Sequence, residues 1–365
     1  MKILFFIDDL GSGGAQRQLV NLAIQISTLG NDVDVLSYSG NNYYRELLEQ
    51  SGISCKLVEE KRAVSRLLKV RREIRNGNYK AVIAFLGVPV FIAELAGLPF
   101  RRWKMIAGER SANPVIARSL KSRFMRLFHF SADYVVSNSY ANQELVKKVN
   151  PFLASAKLKV IYNTIDLEKF RPAEDFQFMQ DNKLNIVVPA SYRRLKNLTG
   201  LIEAVNLLRD EEKSGLQIDW YGDKTPNKHP QFVLPEAEAL IEKYRLHKVI
   251  ALNDVEPAIE NIIRQADAIG LFSFFEGLPN TVCEGMACGK PVIASAVSDV
   301  PLLIEDQTGG ILCDPVDVSS ITGALRSMLN CSPEKMQQMG QYNREKAEKL
   351  FDENKIVEEY LQLIK

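Results

Sequence analysis

A chain of 365 residues is too long for one ordinary core and suits two domains. Its 46% hydrophobic and 25% charged residues, with a net charge of +1, exclude a disordered or disulfide-stapled protein. The near-neutral total hides an asymmetry: residues 1–165 hold 24 Lys/Arg against 13 Asp/Glu, a net of +11, and residues 166–365 hold 22 against 32, a net of −10. Either the basic half meets something anionic, or the opposed charges only steer two domains together.

The chain starts with an apolar run, Met1 to Ile7, halted by Asp8 and Asp9. It is too short for a signal peptide and predicts a buried strand. Gly11-Ser12-Gly13-Gly14 then leads into a helical pattern from Gln16 to Leu29, an arrangement that suits an anion at a helix start or a merely tight turn. A dinucleotide fingerprint wants Gly or Ala where Gln16 stands, which disfavours a nicotinamide site. Asp32-Val33-Asp34 spells the Asp-x-Asp of metal-dependent transferases, but it lies inside a predicted strand and is read as coincidence.

Ala81 to Phe100 is about as long as a membrane span and carries one charge, Glu94. Pro89, Gly97 and Pro99 interrupt it, so it reads as a buried strand Ala81–Leu86, a turn at Gly87-Val88-Pro89 and a short helix through Ala96. From Arg110 to Ala132 no acidic residue occurs. Arg118, Lys121, Arg123 and Arg126 alternate there with Ile116, Leu120, Phe124, Leu127 and Phe128 at helical spacing. This predicts a basic amphipathic helix whose apolar side enters the core or docks on anionic lipid.

Short β-branched runs alternate with helical patterns along nearly the whole chain, the signature of helix-covered parallel sheets. Strands are expected near 2–7, 32–37, 53–58, 80–86, 104–108, 132–138 and 158–162, then near 184–189, 216–221, 248–252, 268–272, 291–295 and 310–313. The polar stretch Asn163 to Asn182 is the natural linker. The expected domains are 1–172 and 173–349, with a closing helix at about 350–365 packing back on the first. Five scattered cysteines without a Cys-x-x-Cys pair point to a reducing cytosol and against a structural zinc. His129, His229 and His247 are isolated and read as structural.

Two further stretches carry chemistry. Arg193-Arg194-Leu195-Lys196-Asn197 follows the predicted strand 184–189, where cations meet ligands in open α/β sheets and two of them can replace a metal on a diphosphate. The run Phe275 to Ala294 places Glu276 at the end of a strand and Glu284 on the following helix, with the Gly277 turn between them. Two carboxylates suit sugar hydroxyls, and Glu284 suits a pair of ribose hydroxyls as an acceptor-only group.

This stretch resembles the Glu-(seven residues)-Glu motif of the retaining glycosyltransferases of family four, which have the GT-B fold: two Rossmann-like α/β domains whose parallel sheets face across a cleft. The resemblance extends to the Gly13-Gly14 turn, to Val160 through Asp166 with Phe170 and Pro172, to Lys196-Asn197, and to Gly309 through Pro315. It implies that Glu276, Arg193 and Lys196 act at the reacting centre, Glu276 on the donor sugar and the two cations on the diphosphate. Glu284 would bind the ribose, with Gly277, Leu278, Asn280, Thr281, Gly13, Gly14 and Arg194 completing the donor site. The chain departs from the family in two places: Ala190-Ser191-Tyr192-Arg193-Arg194 replaces the usual Gly-Arg-Leu, which leaves open which arginine meets phosphate. No histidine occurs within Gly108 to Asn113, where Glu109 and Arg110 are expected on the acceptor side.

The resemblance implies transfer of a sugar from a UDP-sugar to the hydroxyl of a sugar or lipid-linked acceptor, in surface polysaccharide or glycan synthesis. The protein would work in the cytoplasm or on the inner face of a membrane, need neither metal nor other cofactor, and bind no nucleic acid. No second carboxylate stands out as a nucleophile, which favours same-face attack. The competing readings are a nucleotide-sugar epimerase, which would isomerise the donor without an acceptor, and a non-catalytic nucleotide-sugar sensor.

Overall fold

The computed structural model of the protein describes residues 1–111, 113–179, 183–225 and 231–365. It divides into two units, Met1–Thr164 with Glu353–Lys365, and Ile165–Asp352. The break lies at Thr164, several residues before Pro172.

In the first unit, strands β1 (Lys2–Phe6), β2 (Asp32–Ser37), β3 (Ser54–Leu57), β4 (Ala81–Phe85), β5 (Lys104–Glu109), β6 (Tyr134–Ser137) and β7 (Leu158–Val160) form one sheet, in the order β3-β2-β1-β4-β5-β6-β7. Every pairing is parallel. The strands are apolar on both faces because helices cover both. Ile3, Phe5, Ala81, Ile83 and Phe85 face one cluster, which also receives Ile356, Val357, Tyr360 and Ile364 from the last helix, Glu353–Ile364. Leu4, Phe6, Val82 and Ala84, the alternate residues, face the other.

The second unit repeats this plan with β8 (Leu184–Pro189), β9 (Leu216–Tyr221), β10 (Ile250–Asn253), β11 (Ala268–Leu271), β12 (Val292–Ser295) and β13 (Gly310–Cys313), in the order β10-β9-β8-β11-β12-β13. All pairings are again parallel. In both units the strand order reverses beside the first strand, between β1 and β4 and between β8 and β11. Outside the carboxyl ends of such a pair lies the crevice where ligands bind in open α/β sheets.

The segment 332–365 is two helices, Pro333–Leu350 and Glu353–Ile364, which belong to different units. Three expectations need correction. The expected turn at Gly87-Val88-Pro89 is already the first turn of the helix Gly87–Gly97, because proline is tolerated where no helical partner is needed. The basic segment is broken into Val115–Arg118 and Leu120–Leu127, since Ser119 leaves the helical conformation to cap the second piece through the Ser122 amide. Its apolar side is not core: Leu120 is 81% exposed and Phe124 55%.

Candidate active site

The carboxyl ends of β8 and β11 bring together two loops of the second unit. After β8, Ala190 to Arg193 leads into a short 3-10 turn, Arg194–Lys196. Asn197 then adopts the left-handed conformation at φ 60° and donates from Nδ2 to the Pro315 carbonyl at 2.9 Å. That residue ends the turn and starts the helix Leu198–Asn206, an orientation asparagine tolerates better than most residues. The Leu195 carbonyl accepts from the Phe274 amide at 2.9 Å, which ties this loop to the one after β11.

Across the tie, Lys196 Nζ donates to Glu276 Oε1 at 2.6 Å, with the two side chains 21% and 12% exposed. Two of the three expected catalytic residues are thus paired in a half-buried place, where charge attraction is less screened than at the surface. The third, Arg193, is exposed on the same loop. Its guanidinium contacts no acid among the described residues, whereas the Arg194 guanidinium meets Glu236 at 2.6 Å.

The Glu276 loop is fixed from the far side by Ser298. The Glu276 amide donates to Ser298 Oγ at 3.1 Å, and that hydroxyl donates to the Glu276 carbonyl at 2.6 Å. Ser298 itself has a φ of 51°. Beyond Glu276, the amides of Gly277 and Leu278 donate to no described residue and precede the helix Asn280–Ala287. Thr281, in the first turn of that helix, donates from Oγ1 to the Pro189 carbonyl at the end of β8, at 2.9 Å. Glu284 is buried on the same helix. The helix lies close on β11, for a Cβ at Gly285 would come within 2.6 Å of Ile269.

Sequence reasoning missed Ser298 and Glu236, neither of which stands near its partner along the chain. The Asp299-Val300-Pro301 helix start was the nearest signal for a turn at Ser298.

The remaining expected residues lie in the first unit. Gly13 and Gly14 follow β1 at its switch point, where Gly13 precedes the helix Gly14–Thr28 and Gln16 donates to Asp9 at 3.2 Å. Glu109 ends β5 fully buried, one oxygen 2.6 Å from Arg126 and the other 3.1 Å from His129. His129 is therefore not isolated, and its other ring nitrogen lies 2.7 Å from Glu94. Burial alone would depress the imidazole, but Glu94 and Glu109 outweigh it and push its pKa up to about 9. Burial would raise Glu109, yet Arg126 and His129 hold its carboxyl below the usual range. Arg110 stacks 3.7 Å over the Phe85 ring and donates to Asn163 at 3.2 Å and to the Tyr360 hydroxyl.

Asp34, from Asp32-Val33-Asp34, is buried and accepts from the Tyr79 hydroxyl at 2.7 Å. His247 meets Glu242 at 2.7 Å, and His229 lies outside the described residues. Among the described residues no cluster of three His, Cys, Asp or Glu side chains suits a metal, and no helix is long and apolar enough to cross a membrane.

With this geometry in view, residues 12–169 match the family model described as Glycosyltransferase Family 4, and residues 171–346 the one described as Glycosyl transferases group 1. The chain is a glycosyltransferase of the GT-B type. Among proteins with curated descriptions it is similar to the N-acetylgalactosamine-N,N'-diacetylbacillosaminyl-diphospho-undecaprenol 4-alpha-N-acetylgalactosaminyltransferase of Campylobacter jejuni, 26% identical over 381 residues that cover 100% of this chain and 99% of that one. It is 24% identical to an uncharacterized glycosyltransferase of Haemophilus influenzae, over 98% of each chain. In fold it is similar to Anabaena Alr3699/HepE, solved in complex with UDP, with a TM-score of 0.86, 18% identity and 99% of each chain covered.

Proposed function

We propose that the protein is a retaining glycosyltransferase that moves a sugar from a UDP-sugar to a hydroxyl of a lipid-linked sugar acceptor, in surface polysaccharide or glycan synthesis. The observation that carries the reading is the Lys196–Glu276 pair at the switch point, beside the unengaged Arg193 guanidinium and the Gly277 and Leu278 amides. A departing nucleoside diphosphate gains negative charge, and fixed cations and N–H groups aimed at it stabilise the transition state. Arg193 is the arginine for this task, because Glu236 already holds Arg194. Two cations then neutralise the diphosphate without a metal.

Glu276 accepts from the donor sugar's hydroxyls while tethering Lys196, and Glu284 accepts from the ribose. The bond between the anomeric carbon and the β-phosphate oxygen breaks. The acceptor oxygen bonds to the same face of that carbon, and its proton passes to the leaving phosphate. UDP as the leaving group is supported by the UDP complex of the Anabaena structure, and a lipid-linked acceptor by the diphospho-undecaprenol named for the Campylobacter relative.

A membrane-borne acceptor also fits the first unit's surface. Leu120, Phe124, Leu127 and Phe130 are exposed, Phe124 and Phe128 pack against Phe91, and Arg118, Lys121 and Arg123 project among them. Basic and aromatic groups on one short helix suit an anionic bilayer surface.

The test is product analysis with UDP-sugars and a polyprenyl-diphosphate-linked acceptor. The reading predicts stoichiometric UDP release and a product of the donor's own anomeric configuration. Isomerisation of the donor without acceptor, or an inverted product, would overturn it.

A further inference from the structure

Lys290 lies away from this chemistry, at the start of the turn into β12. It is 2% exposed, and its side chain makes no hydrogen bond or ion pair with any described residue. The ammonium sits 3.2 Å from the centre of the Phe176 ring and 5.5 Å from that of Phe178, and the two rings meet edge to face at 5.0 Å. A ring face offsets part of the cost of burying a cation but replaces neither water nor a counter-ion.

Lys290 borders a cavity of about 350 Å³ within the second unit, walled on its apolar side by Pro172, Phe176 and Phe178. That volume is at the lower end of small-molecule sites. The other cation of the wall is already engaged: Arg344 Nη1 donates to the carbonyls of Leu167, Phe170 and Ala287 at 2.7–3.2 Å, and Nε to Glu348 at 2.6 Å. Glu174 and Glu345 stand at the solvent-exposed rim.

We propose that this cavity binds a small organic monocarboxylate, its carboxylate paired with Lys290 and its apolar body against Pro172, Phe176 and Phe178. One buried cation without a counter-ion among the described residues calls for one negative charge. The acidic rim disfavours dianions such as phosphate esters, and the apolar wall favours a ligand with an aromatic or branched aliphatic body. No residue assigned to sugar transfer lines the cavity, so the site is independent of that reaction.

Burial pushes the Lys290 pKa down to about 7, with Cys288 and Asp267 opposing the shift. The other ionisable groups of the wall are Glu174, Arg344 and Glu345. A bound carboxylate favours the ammonium form, so affinity rises as pH falls through about 7.

Calorimetry of the full chain with benzoate as probe, and uncharged benzamide as its control, tests the proposal. Benzoate is expected to bind at least tenfold more tightly than benzamide at pH 6, and about tenfold or more weaker at pH 8.5 than at pH 6, since a unit of pH above the pKa removes about nine-tenths of the ammonium form. Lys290→Met, checked for cooperative melting, is expected to abolish the preference. On the unmutated protein, benzoate is expected to slow acetylation of Lys290 by acetic anhydride at least threefold, with the peptide followed by mass spectrometry. Equal binding of the two probes, binding of neither, or benzoate binding without protection of Lys290 would overturn the proposal, whether or not the protein binds UDP.

Discussion

Lys196 and Glu276 stand eighty positions apart along the chain, and their 2.6 Å contact depends on two loops being laid side by side at one sheet reversal. Glu276→Ala is expected to lower kcat by about a hundredfold or more, since it removes the acceptor for the donor sugar's hydroxyls and frees Lys196 from the tether that aims it at the developing charge, while leaving thermal unfolding nearly unchanged. Full turnover of that variant would remove Glu276 from the mechanism. The quartet Glu94, His129, Glu109 and Arg126 has the opposite character, because all four are buried and engaged with one another. Glu109→Gln is expected to destabilise the first unit by about 3–5 kcal/mol in urea unfolding, since it leaves Arg126 charged and buried without its acid and His129 with Glu94 alone. The folded His129 pKa, about 9, lies above its ordinary 6.5. Its contribution to stability is therefore complete below pH 6.5 and lost as pH rises through about 9. A His129→Gln variant is expected to lack this alkaline loss, and an unchanged slope between pH 7 and 9.5 would show that another group causes it.

At the scale of elements, all thirteen strands of the described residues were legible, each within about three residues at its ends. Runs such as Ala81–Phe85 are apolar on both faces and bounded by turn residues, and only a helix-covered parallel sheet explains them. The single charge in the membrane-length run, Glu94, was the residue the pattern could not explain. Its partner, His129, arrives from a segment thirty-five positions later, and no local spacing records that meeting. The covering of the basic segment was left open for a related reason: periodicity finds an apolar face but not what covers it. In Leu120–Leu127 that face stays exposed. Leu120→Ser with Phe124→Ser is expected to reduce flotation with vesicles rich in anionic lipid at least fivefold at low salt, without lowering the melting temperature. Equal flotation with neutral vesicles would sink the membrane reading. The helix Asn280–Ala287 makes a second prediction. At Gly285 a side chain would meet Ile269, so Gly285→Val is expected to cost about 1–3 kcal/mol of stability and to weaken nucleotide binding by displacing Thr281 and Glu284.

At the scale of the whole molecule, two sheets of the same strand order came from a sequence without a detectable repeat, because parallel α/β packing asks only for buried strands at suitable spacing. Glu276 and Glu284 were singled out by a motif of specific spacing and Lys196 by its place after β8, and the structure pairs Lys196 with Glu276. Ser298, which fixes the Glu276 loop, was not singled out, because a serine before a short helix looks like many others. The C-terminal helix Glu353–Ile364 completes the first unit's core through four buried side chains, although the second unit separates it in sequence from the rest. Ending the chain at Asp352 is expected to lower the calorimetric transition of the first unit by roughly 10 °C or more, and that of the second far less, since burying an apolar side chain contributes about 1.5–3 kcal/mol.

In the proposed function, the crevice at the β8–β11 reversal holds a nucleoside diphosphate by protein cations alone. Isothermal calorimetry against UDP, GDP, ADP and CDP, with and without EDTA, tests it most directly. The account predicts that UDP binds with the same affinity in EDTA, and that Lys196→Ala weakens binding about tenfold or more, the loss of a charge-assisted contact. Binding that required a divalent metal, or that ignored the loss of Lys196, would contradict it.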